Sequence, residues 1–146
     1  MDPLIDLVAP TLGILGMNAL AAADAVLILV ATNYLSLRGL QLLLRSIQMI
    51  QAQIHPDLQI LGIVGMRYDR RITHHGEGLQ ELRQLFPPQG IRIFESVILR
   101  SVRFEEAAMT GQPVVGYAAH YSGAEVCQQL MQEMIACYDH QTPNAD

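Results

Sequence analysis

Two uninterrupted apolar runs constrain the fold more than any other feature: Ala25–Ala31, AVLILVA, and Gln59–Met66, QILGIVGM. Each has the length of a strand, and the first is a continuous apolar run rich in branched side chains. A strand that is apolar on both faces has to be covered on both faces. That is the situation of a strand in a parallel sheet sandwiched between helices. Between the runs, Leu40, Leu43, Leu44, Ile47, Ile50 and Ile54 recur at spacings of three and four, with Gln41, Arg45, Gln48 and Gln51 opposite. Ser36 is the expected N-cap of this helix, and Pro56 stops it.

The remaining segments continue the alternation. Leu12, Leu15, Asn18, Ala19 and Ala22 predict a helix over Leu12–Ala23. Leu4–Asp6 is apolar and ends on an acid, as the end of a buried strand does. Arg67–His75, RYDRRITHH, reads as a charged loop, and Glu77–Phe86 as a short helix ended by Pro87-Pro88. Ile91–Leu99 is a third strand, interrupted by Glu95-Ser96. Phe104–Met109 is a short helix. A closing helix over Gly123–Tyr138 carries Cys127, Leu130, Met131, Met134, Ile135 and Tyr138 as one inward stripe. The glycines of the second strand imply close approach by a packed helix or a ligand. The expected fold is α/β, a three-layer, mostly parallel sheet flanked by helices, with one domain over residues 1–138 and a polar tail over 139–146.

Composition narrows the function classes. The longest uncharged run, Leu7–Ala23, contains Pro10, Asn18 and two glycines, which argues against a membrane span. The first residues include Asp2 and Asp6 and no basic stretch, unlike a secretory signal. Cys127 and Cys137 lie ten residues apart on one helix, roughly 15 Å of rise, too far for a disulfide. The cytoplasm is the expected compartment. A net charge of −5 gives no reason to expect nucleic-acid binding by the chain as a whole. All nine basic residues are arginine, so the lysine that phosphate-loop chemistry uses is absent.

In an open parallel sheet, ligands sit at the carboxyl ends of the strands. Met66–Arg71 and Leu99–Arg103 both leave strand ends. With parallel strands, Arg67, Arg70 and Arg71 share one edge with Arg100 and Arg103. Such guanidinium groups bind phosphate, or form a solvated loop partly neutralised by Asp69, Glu105 and Glu106. The spacing leaves both open. His74-His75 has no cysteine or carboxylate at metal-ligand spacing and reads as loop. Glu105-Glu106 fits the first turn of a helix, where acids complement the dipole. Neither cysteine has a catalytic partner.

The ordered motifs resemble the ParA/MinD family of partition ATPases, in particular its ParA/Soj branch, from about Pro10 to Ala136. The carrying residues are Pro10-Thr11-Leu12-Gly13, then Asn18-Ala19-Leu20-Ala21-Ala22-Ala23-Asp24 before a buried strand, Tyr34–Leu40, Gly62–Arg71, Val97–Ala108, Gly111-Gln112-Pro113 and Tyr121–Glu125. The resemblance implies a P-loop NTPase-like fold and ATP-gated dimerisation on nonspecific DNA, with ATP and Mg²⁺ as cofactors and a centromere-binding ParB-like partner. It implies a role for Arg71 and Arg103 in DNA binding. It associates Asp6, Met66, Leu99 and Arg100 with the nucleotide and Mg²⁺, Asp6 as the Walker B-type aspartate. The family's Lys-Gly-Gly-x-Gly-Lys-Ser/Thr loop does not occur. Leu99 stands where the family has proline, Ser101 where it has asparagine, and Ser122 where it has arginine. The resulting expectation is the C-terminal part of a ParA-like ATPase, N-terminally truncated, cytoplasmic and nucleoid-associated, without a membrane role. By itself it is expected not to hydrolyse ATP. It would act as a homodimer, or as a non-enzymatic module pairing with a full-length ParA-type subunit.

Overall fold

The computed structural model describes Val8 and residues 13–141. The two apolar runs form strands β1 (Ala25–Ala31) and β2 (Gln59–Met66), paired in parallel from Ala25–Gln59 to Ala31–Met66. The register slips once between Val26 and Leu27, so that Leu61 is the extra residue and Leu27 pairs with Gly62. The third strand is present as a broken extended segment beside β2, running the same way. Ile63 N–H donates to Arg92 O at 2.8 Å, Phe94 N–H to Ile63 O at 2.9 Å, and Ile98 N–H to Gly65 O at 2.9 Å.

The interruption at Glu95-Ser96 is built rather than frayed. Helix α6 (Ser122–Gln141) brings Glu133 across, and its carboxylate accepts from Glu95 N–H at 3.1 Å, Ser96 N–H at 3.1 Å and Ser96 Oγ–H at 2.7 Å. A side chain from the covering layer thus replaces the ladder bonds that this strand lacks.

Alternation along the strands divides the core. Ile28, Val30 and Ile63 face one layer, with Leu40, Leu44, Ile47 and Ile50 of α2 (Tyr34–Gln53). Leu27 and Val64 face the other, with Phe94, Ile98 and Leu130, Met134 and Cys137 of α6. The other α-helices among the described residues are α1 (Ile14–Ala22), α3 (Thr73–Leu85), α4 (Val102–Met109) and α5 (Val114–Tyr117), with one 3-10 turn at Pro87–Gln89. The glycines record close packing rather than a ligand. A Cβ on Gly62 would lie 2.6 Å from the Phe94 ring and 2.7 Å from Arg92 O. One on Gly78 of α3 would lie 2.7 Å from Thr32 O, so α3 packs directly on the end of β1.

Several boundaries differ from the sequence expectation for local reasons. The N-cap of α2 is Asn33, whose Oδ1 accepts from Ser36 N–H at 2.9 Å; Ser36 is already inside the first turn. Helix α3 starts at Thr73, four residues before Glu77, so the two histidines are helical. Helix α4 starts at Val102 because Ser101 Oγ accepts from Arg103 N–H at 3.2 Å. Helix α6 continues to Gln141, past Tyr138. Its inward line is Val126, Cys127, Leu130, Met134 and Cys137, whereas Met131, Ile135 and Tyr138 are exposed. In α1 the inward residues are Gly16, Met17 and Leu20, and Leu15 is 79% exposed. Asp6 and the segment Leu4–Asp6 lie outside the described residues.

A candidate arginine surface at the carboxyl edge of the sheet

Both arginine-bearing segments leave the sheet at its carboxyl edge, and the backbone joins them there. Past Met66 the chain turns through Arg67, which takes a left-handed φ of 54°. Tyr68 then pairs with the third segment. Its N–H donates to Ile98 O at 3.1 Å, and its carbonyl accepts from Arg100 N–H at 2.9 Å. This clasp brings Met66, Leu99, Arg100 and the loop to Arg71 to one edge, with Arg103 in the first turn of α4.

The five arginines are held differently. Arg71 forms a two-pronged fork with Asp69: Nε donates to Oδ1 at 3.1 Å and Nη2 to Oδ2 at 2.9 Å. Asp69 Oδ1 also accepts from Arg71 N–H at 3.0 Å, the Asx-type turn that an acid two residues upstream can make. The Arg71 side chain is 89% exposed and that of Asp69 13%. Arg103 Nη1 donates to Glu106 at 2.9 Å, one contact one turn away. Among the described residues, Arg67, Arg70 and Arg100 have no acidic partner. The solvated-loop reading is therefore partly realised: Asp69 and Glu106 do pair with arginine, Glu105 does not, and three guanidinium groups stay unpaired.

The fork dominates the electrostatics. Hydrogen bonds from the Arg71 side chain and backbone hold the Asp69 carboxyl down at about 2, from an ordinary 3.8. The same pairing pushes the Arg71 guanidinium up. A depressed carboxyl contributes stability above its unfolded pKa and loses it as pH falls toward its folded pKa. Asp69→Asn should therefore lower the urea midpoint at neutral pH. The gap to the parent should close as pH is taken from about 4 to about 2, which urea titrations at stepped pH would read. A gap that persisted at the acid end would mean the fork does not hold in solution.

Two shallow depressions accompany this edge and its opposite. One, of about 380 Å³, lies beside Arg103 and is lined by Tyr117–Tyr121. The other, about 350 Å³, sits at the amino end of the strands among Gln51, Gln59 and Gly90, away from the arginines. Among the described residues, no group of three or more His, Cys, Asp or Glu could hold a metal ion. The edge also offers no lysine, so these residues do not by themselves fit a Mg²⁺–phosphate centre. His74 bonds Glu77 at 3.0 Å, and His75 accepts a backbone bond from Asp69, roles that the reading of RYDRRITHH as loop missed. The Asp-x-Arg spacing signals the Asp69–Arg71 fork and carries no signal for the histidines.

A parallel sheet between helical layers, with its charged loops at the carboxyl edge, defines a P-loop NTPase-like α/β domain. Its backbone superposes on the structure of McdA from Cyanthece with a TM-score of 0.61 over 77% of this chain and 46% of that one, at 21% identity, a likeness of fold. Cobyrinic acid a,c-diamide synthase from Mycobacterium smegmatis, solved with bound ADP and magnesium, gives 0.55 at 32% identity over 63% and 36%. The AAA domain family matches residues 3–60. The chain is 35% identical over 127 residues to the sporulation initiation inhibitor protein Soj of Bacillus subtilis, covering 87% of this chain and 49% of that protein. It is 34% identical over 127 residues to the chromosome partitioning protein ParA of Caulobacter vibrioides, covering 87% and 46%. It thus spans less than half the length of these relatives. Over most of its length the chain is thus similar to ParA/Soj-type partitioning proteins. Among the described residues, no helix is long and apolar enough to cross a membrane.

Proposed function

We propose that this chain is a ParA-type partitioning protein whose carboxyl-edge arginines bind the phosphates of DNA without reading sequence. The observation that carries the reading is the clasp at Tyr68, which unites arginine segments 29 positions or more apart in sequence, Arg71 to Arg100, around exposed guanidinium groups at Arg71 and Arg103. The names of the relatives Soj and ParA support it. Guanidinium forks suit phosphate oxygens, and phosphate contacts need charge and position rather than base edges. A chain of net charge −5 gains nothing from long-range attraction to DNA, so the local contacts must supply the affinity, and it should fall steeply with salt.

The partner proteins in this reading are a second subunit, either a copy of this chain or a full-length ParA-type subunit, and a centromere-binding ParB-like protein. The working compartment is the cytoplasm, on the nucleoid. Nucleotide gating is the family activity. With no lysine in its 146 residues, this chain by itself should not hydrolyse ATP, and Met66, Leu99 and Arg100 border a nucleotide that other segments would hold.

The test is fluorescence anisotropy on labelled duplex DNA of unrelated sequences, across a salt series. Arg71→Ala with Arg103→Ala should weaken binding about tenfold or more, alike for every sequence. The slope of log affinity against log salt should fall by about two. Unchanged affinity in the double variant would overturn the reading. The same samples titrated with fluorescent ATP and Mg²⁺ should show no saturable binding by the chain alone; saturation would mean that a nucleotide site survives without a Walker A loop.

A further inference from the structure

The guanidinium of Arg71 is not simply paired; it is the end of a chain of contacts anchored in a helix. Asp69 N–H donates to His75 Nδ1 at 3.0 Å. A backbone N–H can only donate, so Nδ1 is the acceptor and the ring proton is on Nε2. His75 sits in the first turn of α3, which packs through Gly78 against the end of β1. Ile72 N–H adds a bond to Asp69 O at 3.1 Å. Asp69, fixed at its backbone from both sides, then holds Nε and Nη2 of Arg71 with its carboxylate.

We propose that His75 and Asp69 are positioning residues, a relay that holds the Arg71 guanidinium outward in one orientation, and that the relay is intact only while His75 is neutral. The inference rests on the reading of Arg71 as a phosphate-binding residue. The fork occupies the Nε edge and leaves the Nη1 hydrogens and the outer Nη2 hydrogen for a second anion. A free arginine loses rotamer entropy when it is immobilised. A guanidinium already held by its neighbours has lost part of that freedom before a phosphate arrives. Arg103, with one contact to Glu106, lacks such an anchor.

The direction of the pH effect separates this device from ordinary charge. Protonating Nδ1 sets two donors against each other and breaks the contact with Asp69 N–H. The groups that face the ring are Tyr68, with ring centroids 6.4 Å apart, Asp69, and Arg71 through Asp69. On its own helix, His74 is tied to Glu77. A new positive charge beside a DNA-binding loop would by itself strengthen binding to a polyanion. Loss of the relay weakens it.

The experiment uses ¹⁵N-labelled full chain, stepped from about pH 8 to about pH 5.5, with the His75 ring nitrogens reporting the protonation of that ring directly. A scalar coupling across the hydrogen bond between Asp69 N and His75 Nδ1 should be present at the upper end and vanish as the ring protonates. The Arg71 Nε–H should lose its protection from solvent exchange, read relative to the unpaired arginines at the same pH, in step. In parallel, affinity for a short duplex should fall about three- to tenfold on acidification, the loss of roughly one hydrogen bond. His75→Ala should be weak throughout. His75→Asn, whose Oδ1 accepts at any pH, should restore binding and remove the pH response. No coupling at the upper end, an Arg71 signal indifferent to His75 protonation, or affinity that rises on acidification equally in parent and His75→Asn would each overturn the relay. If coupling and Arg71 signal titrate together but no DNA binds at any pH, the relay stands and the DNA reading falls.

Discussion

Gly62→Val is expected to destabilise the fold by about 4 kcal/mol, the sum of a steric and a backbone cost. Gly62 follows the extra residue Leu61 in β2 and has a φ of 149°, where a side chain is strained whatever the space. There is also no space. Its Cβ would meet the Phe94 ring at 2.6 Å and Arg92 O at 2.7 Å. The ring is 0% exposed and locked in the core, and the carbonyl accepts the Ile63 N–H at 2.8 Å, so neither can retreat without opening the pairing of β2 with the third segment. Against the 5–15 kcal/mol typical of a domain, the loss would leave a marginal protein. Urea denaturation followed by circular dichroism would show a midpoint displaced to low denaturant. A midpoint within about 1 kcal/mol of the parent would mean that the third segment is not clamped to Gly62 in solution.

The second large effect lies at the break in the third segment. Glu133→Ala should cost about 3 kcal/mol, because it removes the acceptor of three donors, Glu95 N–H, Ser96 N–H and Ser96 Oγ–H, and Ser96 is buried. Glu133→Gln should cost about 1 kcal/mol, since its one carbonyl oxygen can keep the Ser96 bonds while its amide cannot accept from Glu95. The order Ala worse than Gln worse than parent in urea midpoints is the result to look for. Equal midpoints for Ala and parent would mean that water replaces the carboxylate and that the break is not held from α6. The consequence reaches the arginine edge. Glu133 holds the third segment just before Ile98–Arg100, the stretch that clasps Tyr68.

The two strands, the long helix α2 and the three-layer arrangement were legible in the sequence, because AVLILVA and QILGIVGM leave little alternative to two-sided burial in a parallel sheet. The co-location of the arginine segments was legible as well. It follows from strand direction alone: parallel strands deliver the chain after Met66 and after Leu99 to the same edge. What failed were the helix starts and the facing of the outer helices. Asn33 caps α2 where Ser36 was expected, and the stripe through Met131, Ile135 and Tyr138 of α6 faces outward. Periodicity identifies an apolar face up to a rotation of about one residue. Which edge of it meets the sheet depends on where the neighbouring layer lies.

By itself, then, the sequence determined the class of fold, the edge at which charge gathers and the absence of a phosphate-loop lysine, since each is a matter of pattern, direction or composition. Tertiary structure alone decided how each arginine is held. Asp69 forks Arg71 because the turn after β2 folds back on itself, and His75 anchors Asp69 because α3 begins four residues earlier than its apolar pattern shows. Glu133 reaches Ser96 across 37 positions of sequence because α6 lies over the break. These are contacts between polar side chains and backbone donors, and no period of hydrophobic residues encodes them; they exist only once the layers have brought the segments together.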